Sequence, residues 1–362
     1  MKRLVPLFLF AVLSLLFFSF NTSNFHIPKR PKKARNIILL IGDGMGLAQV
    51  STSYYFGDGT SSFSRFRHIG LHQCSSSDHK ITDSAAGATA FSTGYKSYNG
   101  AIGVNEDSIA KPSILEWAAE QGKSTGLVAT SSITHATPAA FYAHVPDRNL
   151  QEDIALDFIN ASVDFAAAGG YTYFCDRKDG LNLLETLTAQ GVTVDTSHLD
   201  IRVEMGQRYA YFLAPDGLPS IPNGRGDFLP HATQTALDLL SQDRDGFFLM
   251  VEGSQIDWAG HDNDPNFLIS EVADFERTIE RVLDFAEKDG NTLVIVTADH
   301  ETGGLGLSAD KGDYNKVAAT FSTGGHTATL IPVFAYGPGA RRFMGIYQNN
   351  DIFGKMMRSF KK

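Results

Sequence analysis

Three separate apolar runs of the chain each end on an acidic residue. NIILLIGDG delivers Asp43, FFLMVEG delivers Glu252, and NTLVIVTADH delivers Asp299 and His300. Glycine-bounded runs of aliphatic residues are typical of fully buried parallel strands, and open α/β sheets bind ligands beyond the carboxyl ends of such strands. Because carboxylates gathered there would repel one another, the pattern predicts a divalent cation between them.

Helical and strand patterns alternate after the first run. KPSILEWAAEQG precedes STGLVAT, LNLLETLTAQG precedes GVTVD, and HATQTALDLLSQ precedes GFFLMVEG. The longest predicted helix lies within residues 266–288, where apolar positions recur at 3.6-residue spacing. Residues 214–230 and 301–326 are expected to be long irregular connections, the second forming a rim of the site. This βα repetition predicts an α/β fold.

The N-terminus predicts export. Lys2 and Arg3 precede an apolar stretch, so residues 1–20 are interpreted as a signal peptide, although retention as a short membrane anchor stays open. Residues 21–35, with KRPKKAR, are interpreted as a basic linker, and residues 36–362 as the folded domain. The net charge of −9 argues against a broad nucleic-acid-binding surface. We therefore expect a periplasmic or secreted protein.

The chain has only two cysteines, Cys74 and Cys175, and thus no disulfide framework. Both lie in segments predicted to be strand-like, HIGLHQC and GYTYFC. Whether they pair or remain free thiols stays open.

The string ITDSAAGATAFSTG places Ser84 at the predicted start of a helix. A helix N-terminus favours a developing alkoxide and an incoming phosphate, although a serine there can also be a simple N-cap. The chain has no GxSxG motif, and no histidine has the local context of a triad base. Activation of Ser84 by a metal is therefore favoured over a Ser-His-Asp relay.

Histidines and carboxylates recur in spacings that suit zinc. MVEGSQIDWAGH puts Asp257 and His261 on one face of a helix directly after the second acid-tipped run. In TADHET, the chain can turn at the strand end and let Asp299 and His300 reach neighbouring ions. GGHTAT offers His326 after a flexible glycine pair. Each motif alone is weak, but together they predict a metal centre.

The segment THATPAAFYAHVPDR adds His135 and Thr137 at a turn and Arg148 after it. A guanidinium suits bidentate binding of phosphate. Without the other motifs, Arg148 would be interpreted as part of a surface ion pair.

Six motifs together resemble the alkaline phosphatase family in order and spacing: GDGMG, TDSAAGATAFSTGYKSYNGAIGV, HATPAAFYAHV, VEGSQIDWAGH, TLVIVTADHETGG and GGHT. The resemblance extends from about Asn36 to the C-terminus. It implies a three-layer α/β fold with a central mixed, largely parallel sheet flanked by helices, and a homodimer. It also implies hydrolysis of small phosphate monoesters with two zinc ions and usually one magnesium ion.

The resemblance implies a role for each candidate residue. Ser84 matches the nucleophile that becomes phosphorylated, and Arg148 matches the phosphate clamp. The implied metal ligands are Asp257, His261 and His326 for the first zinc, Asp299 and His300 for the second, Asp43 as the bridge to the third site, and Thr137 and Glu252 for magnesium.

Two positions vary within the family. His135 stands where some members carry Asp near the magnesium, and Trp258 stands where others carry Lys or His. A histidine makes the third site more hospitable to zinc or cobalt, so the identity of that ion stays open. Whether His135 binds that ion directly or acts only through a water molecule or from behind the ligands also stays open. His135 and Trp258 are both expected, with Arg148, to contact the substrate. Trp258 removes a cationic contact to phosphate, although its indole N–H can still donate.

Two other functions are weighed against this one. A phosphodiesterase or sulfatase could share the scaffold, but Ser84 lacks the C/S-x-P-x-R context of sulfatases. A non-catalytic exported protein that binds phosphate or metal would have no need of Ser84 at a helix N-terminus. We expect neither nucleic acid nor, once the signal is removed, a membrane among the partners.

Overall fold

The structure is a computed structural model that describes residues 33–57, 59–199 and 202–360. The predicted signal peptide and most of the predicted basic linker lie outside these residues. Among them, no helix combines the length and apolar character needed to cross a membrane.

Strands and helices alternate as the βα pattern predicts. The strands are β1 (Asn36–Gly42), β2 (His68–Gln73), β3 (Ser124–Ser132), β4 (Phe165–Gly169), β5 (Val192–Asp195), β6 (Arg208–Phe212), β7 (Phe247–Gly253), β8 (Thr292–Thr297), β9 (Glu301–Thr302), β10 (Gly306–Asp310), β11 (Asp313–Thr320), β12 (His326–Thr327), β13 (Ile331–Tyr336) and β14 (Gly345–Gln348). The α-helices are α1 (Leu47–Tyr55), α2 (Ser84–Thr93), α3 (Ile114–Glu120), α4 (Ala136–Ala139), α5 (Gln151–Asn160), α6 (Thr172–Cys175), α7 (Leu183–Ala189), α8 (Phe228–Leu240), α9 (Gln255–His261), α10 (Pro265–Asp289) and α11 (Asp351–Ser359), and Ser62–Arg65 and Ala340–Phe343 are 3-10 helices.

The central sheet is mixed and largely parallel, which confirms the predicted fold class. Its order is β14-β2-β13-β8-β1-β7-β3-β4-β6-β5, and β13 is antiparallel to both of its neighbours. Strands β1, β7 and β8 lie side by side and are buried along their whole length. The three acid-tipped runs are therefore neighbouring parallel strands, as their apolar composition predicts.

Helices cover both faces of the sheet. Alternate residues of β1 point to opposite sides, so Ile37, Leu39 and Ile41 join one core and Ile38 and Leu40 join the other. The first core includes residues of α2, α3, α5, α7 and α11. The second includes residues of α1, α8 and α10. The domain thus has three layers.

The longest helix, α10, matches its prediction closely. The side chain of Asp264 caps its start by accepting hydrogen bonds from Asn266 N and Phe267 N, and Pro265 occupies the first turn. Gly290, with φ of 71°, ends the helix in the left-handed conformation that glycine adopts without strain. The chain then enters β8 and reaches Asp299.

Two local predictions were wrong. Cys175 lies in α6 rather than in a strand, because Gly170, with φ of 105°, turns the chain after β4. Residues 301–326 are also not irregular, since they contain β9, β12 and the β10–β11 hairpin. Lys311 and Gly312, with φ of 50° and 84°, form the two-residue turn that suits such a hairpin. Both cysteines are free, Cys74 buried and Cys175 exposed.

Candidate metal centre

The acids at the strand ends meet at one edge of the sheet. Asp43 follows β1, Glu252 is the next-to-last residue of β7, and Asp299 comes just after β8. None of the three is exposed to solvent. Gly44 N donates to Asp299 Oδ1 over 3.2 Å, which ties the loop after β1 to the loop after β8. The position agrees with the general rule for ligand sites in α/β sheets.

Seven of the eight predicted metal ligands, all except Thr137, fall into three groups together with His135, and the ligand atoms of each group lie within 4.8 Å of one another. Asp43 belongs to two of them, as expected for a bridge. Site 1 is Asp257, His261 and His326; site 2 is Asp43, Asp299 and His300; and site 3 is Asp43, His135 and Glu252.

In site 1, two imidazoles present the same nitrogen to one carboxylate. Asp257 Oδ1 lies 3.4 Å from His261 Nε2 and 3.6 Å from His326 Nε2. The Nδ1 atoms face carbonyl oxygens instead, Gly324 O at 2.7 Å and Thr82 O at 3.0 Å. An Nδ1–H that donates to a carbonyl leaves Nε2 free as a ligand. The arrangement therefore suits zinc.

Site 2 lies beside the candidate nucleophile. His300 Nε2 is 3.2 Å from Asp299 Oδ2, 3.5 Å from Asp43 Oδ1 and 3.3 Å from Ser84 Oγ. The rings of His300 and His326 stack with centroids 3.6 Å apart, so sites 1 and 2 are adjacent. A cation in site 2 would contact the hydroxyl of Ser84.

Site 3 combines carboxylates with one imidazole. Glu252 Oε2 accepts hydrogen bonds from Ser254 Oγ (2.6 Å) and Ser131 Oγ (3.1 Å). Oε1 has no hydrogen-bond partner and is therefore available to bind a cation. His135 Nε2 lies 3.4 Å from Arg148 Nη2, and its Nδ1 has no hydrogen-bond partner. Thr137 Oγ1 partly offsets the rise that burial causes in the pKa of Glu252, but it makes no hydrogen bond of ordinary geometry.

Buried atoms without partners show that these groups suit cations. Buried polar atoms are almost always hydrogen-bonded, yet both carboxylate oxygens of Asp43, Oε1 of Glu252 and Oδ2 of Asp299 have no hydrogen-bond partner. Nitrogen with carboxylate suits zinc in sites 1 and 2. The oxygen-rich site 3 suits magnesium, apart from His135.

The pKa values report the same crowding of negative charge. Burial, with the charges of Asp299, Asp257 and Glu252, raises the pKa of Asp43 well above its usual range, and burial raises the pKa of Glu252 to about 7. The hydrogen bond to Asp257 raises the pKa of His261 to about 9. A bound divalent cation would lower these pKa values, because metal binding favours the deprotonated form of each ligand.

The candidate nucleophile Ser84 and the guanidinium of Arg148 are held by one residue that was not predicted from the sequence, Asp83. Asp83 caps α2 by accepting from Ala86 N at 3.0 Å, which places Ser84 at the first helical position. Asp83 Oδ2 also accepts from Arg148 Nη1 at 3.0 Å and from Gly100 N at 3.0 Å. The Asp-Ser pair before an Ala-rich segment is the signal that could have identified this double role.

Trp258 and Thr302 complete the surroundings. The indole of Trp258 meets the His135 ring edge-on, with centroids 6.2 Å apart, so the predicted substrate contact lies next to site 3. Thr302 Oγ1 donates to Asp257 Oδ1 over 2.5 Å and lies 3.2 Å from His300 Nδ1. Thr302 was not predicted. Its only sequence signal is its place two residues after His300.

Comparisons with known proteins agree with the motifs. The alkaline phosphatase family profile matches residues 34–319. Alkaline phosphatase 3 of Bacillus subtilis is 35% identical, covering 99% of this chain and 97% of that protein, and the Escherichia coli alkaline phosphatase is 32% identical, covering 90% and 86%. Alkaline phosphatase from the Antarctic bacterium TAB5 has a TM-score of 0.89 at 52% identity, covering 91% of this chain and 98% of that one. A His-to-Asp mutant of the TAB5 enzyme has Mg bound in its M3 site.

Proposed function

The chain belongs to the alkaline phosphatase family of phosphomonoesterases, and we propose that it hydrolyses phosphate monoesters through a phosphoserine at Ser84. Sites 1 and 2 would hold zinc, and site 3 a magnesium-type ion. The observation that carries the proposal is the position of Ser84 Oγ, at the start of α2 and 3.3 Å from His300 Nε2 in site 2.

In the proposed reaction, Ser84 attacks the phosphorus atom, and Arg148 and the start of α2 orient the phosphoryl group. Ser84 supplies the oxygen that attacks phosphorus, and the ester oxygen leaves from the opposite side. Arg148, aimed by Asp83 through a 3.0 Å hydrogen bond, donates to the non-bridging oxygens of the phosphoryl group. Backbone N–H groups in the first turn of α2 face the same charge.

The second half of the reaction regenerates the serine. Water attacks the phosphorus of phosphoserine, the Ser84 Oγ–P bond breaks, and phosphate leaves. Bound divalent cations supply Lewis acidity that favours the ionised serine oxygen and stabilises charge on the leaving oxygen. His261 and His326 remain neutral ligands in this scheme because each directs Nδ1 to a carbonyl oxygen.

Two further features of the protein belong to the proposal. Residues 1–20 would direct export, so that the mature domain acts in the periplasm or outside the cell. The resemblance of the six motifs to the alkaline phosphatase family makes a homodimer the expected assembly. The substrate range should be broad, because Ser84, Arg148 and the metal ligands would contact the phosphoryl group and not the rest of the ester.

Metal analysis combined with turnover of one chromogenic monoester tests the function directly. We expect purified protein to contain about two zinc ions per chain and to release alcohol from the monoester at a much higher rate than from a matched diester. Faster diester turnover would favour the phosphodiesterase alternative. Zinc and phosphate binding without release of alcohol would favour a non-catalytic binder, contrary to the family assignment.

Removal of metal should make the stability of the protein fall between pH 7 and 9. The pKa of His261 is raised to about 9 by its hydrogen bond to Asp257, so its protonated form stabilises the fold fully below its ordinary pKa of about 6.5. That contribution is lost as the pH rises toward 9. We expect the Tm of chelator-treated protein to decrease over this range. Zinc-loaded protein should show a smaller decrease, because ligand histidines are already neutral; equal slopes would contradict the assignment of His261.

Replacing His135 with Asp should make site 3 selective for magnesium. A carboxylate oxygen is the harder ligand, so His135→Asp should tighten Mg²⁺ binding by about tenfold or more. The His-to-Asp mutant of the TAB5 relative, with Mg in its M3 site, motivates this expectation. Isothermal titration of zinc-loaded protein with Mg²⁺ measures it, with His198→Asp at an exposed position as the matched control. Unchanged affinity in His135→Asp would remove His135 from site 3.

A further inference from the structure

Glu301 is a buried carboxylate that none of the three metal sites uses. Only 3% of the surface of Glu301 is exposed to solvent. Oε1 accepts from Gln49 Nε2 at 2.7 Å and from Leu305 N at 2.9 Å, and Oε2 accepts a short hydrogen bond from Thr327 Oγ1. All three donors are neutral. Burying a carboxylate without a cationic partner costs free energy, even when neutral donors satisfy its oxygens. Such a residue is therefore a candidate for a structural or functional role.

The segments that meet at Glu301 all carry or adjoin metal ligands. Glu301 itself follows His300 of site 2, and Thr327 follows His326 of site 1. Strands β9 and β12 pair so that Thr327 lies opposite Glu301. Gln49 lies in α1, which begins a few residues after Asp43. One carboxylate therefore joins three of the stretches of chain that carry or adjoin ligands of sites 1 and 2.

The start of α1 is shaped to receive this side chain. A Cβ at Gly46 would lie 2.4 Å from Glu301 Cγ. The φ of Gly46 is −76°, which any residue can adopt, so glycine is needed here for space and not for conformation. The Glu301 side chain thus packs directly against the backbone that leads from Asp43 into α1.

Gln49 contributes both of its amide protons to the same strand. Besides Glu301, its Nε2 donates to Thr302 O at 2.8 Å, while its buried Oε1 has no hydrogen-bond partner. The two hydrogen bonds that Gln49 donates fix β9 against α1. Thr302 in turn donates to Asp257 of site 1.

We infer that Glu301 is a positioning residue for the metal centre, setting the separation between the strand after His300 and the strand that carries His326. The inference rests on the proposed function in taking sites 1 and 2 as the zinc sites. Loss of the acceptor would let β12 shift and would misplace His326 against Asp257. Residues behind the ligands of a metal typically change its affinity by about 10–100-fold.

Three variants of the zinc-loaded protein test this inference. Glu301→Gln keeps the side-chain volume but replaces one carboxylate oxygen with an N–H₂ group, which cannot accept a hydrogen bond from the donors around Glu301. Thr327→Val removes the hydroxyl that donates to Glu301. We expect both to weaken the more weakly held zinc by about 10–100-fold in chelator competition. Thr327→Ser, which keeps the hydroxyl, should stay within about twofold of the parent protein. Excess zinc should restore kcat in both weakened variants.

Cobalt provides a readout that simple destabilisation would not change. In Co²⁺-substituted protein, Glu301→Gln and Thr327→Val should alter the visible absorption spectrum, whereas Thr327→Ser should not. Parental zinc affinity in Glu301→Gln and Thr327→Val would overturn the inference, whatever their Tm, and so would equal losses in the Val and Ser variants. If Glu301→Gln does not fold, the Thr327 pair decides. Because affinity is measured without turnover, an inactive parent protein would contradict the proposed function and leave this result standing.

Discussion

Ser84→Ala should lower kcat/KM for phosphate monoesters by at least about 10³-fold, because it removes the atom to which the phosphoryl group is transferred. Rapid quenching of the parent protein during turnover of a labelled monoester should trap label on the chain. The variant should trap none. Its fold should persist, since Asp83 caps α2 with its own side chain and the Ser84 hydroxyl forms a hydrogen bond only with His300 within the described residues.

A second serine of the same helix supplies the matched control. Ser92 is also fully buried, but its hydroxyl donates within α2 to Thr89 O at 3.3 Å, far along the helix from the metal sites. Ser92→Ala should retain activity and phosphate trapping. Labelled phosphate on the Ser84→Ala protein would refute the assignment of the nucleophile, and equal losses in both variants would indicate damage to α2 instead.

The parts of the fold that the sequence predicts best are those with a strong local signal. The runs ending in Asp43, Glu252 and Asp299 are short, continuous and apolar on both faces, which is typical of a fully covered parallel strand. Likewise, the caps and the 3.6-residue spacing of α10 leave little choice of structure. In contrast, GYTYFC has the alternation of a strand, and only the turn at Gly170 makes it a helical turn.

The site divides in the same way between ligands and their supports. Ligand types and spacings are visible in the sequence, because carboxylates and imidazoles that recur next to several strand ends together predict a metal centre. The residues that position these ligands have no comparable signal in the sequence. Glu301 and Thr327 become partners only when β9 pairs with β12, and Asp83 meets Arg148 across 65 positions of sequence. Long-range contacts of this kind follow from the packing of the whole domain.

The acids of the three runs should differ sharply in what their loss does to the reaction. Asp299 belongs to site 2, beside Ser84, and its Oδ2 has no hydrogen-bond partner. Asp299→Asn keeps Oδ1, which accepts from Gly44 N and His300 N, but turns an amide N–H₂ toward the cation. We expect kcat to fall by roughly 10³-fold, together with the loss of one zinc ion per chain.

Glu252 belongs to site 3, which shares Asp43 with site 2 but lacks His300, the ligand that lies 3.3 Å from Ser84 Oγ. Glu252→Gln keeps Oε2, the acceptor for Ser254 and Ser131, and loses only the oxygen that faces the ion. Affinity for the third ion should fall by about 10–100-fold, and excess Mg²⁺ should restore most of the rate. Parallel metal analysis and steady-state kinetics on both variants separate the two roles. Equal effects on zinc content and on kcat would show that the three sites act as one unit, because Asp43 then transmits any loss in site 3 to site 2.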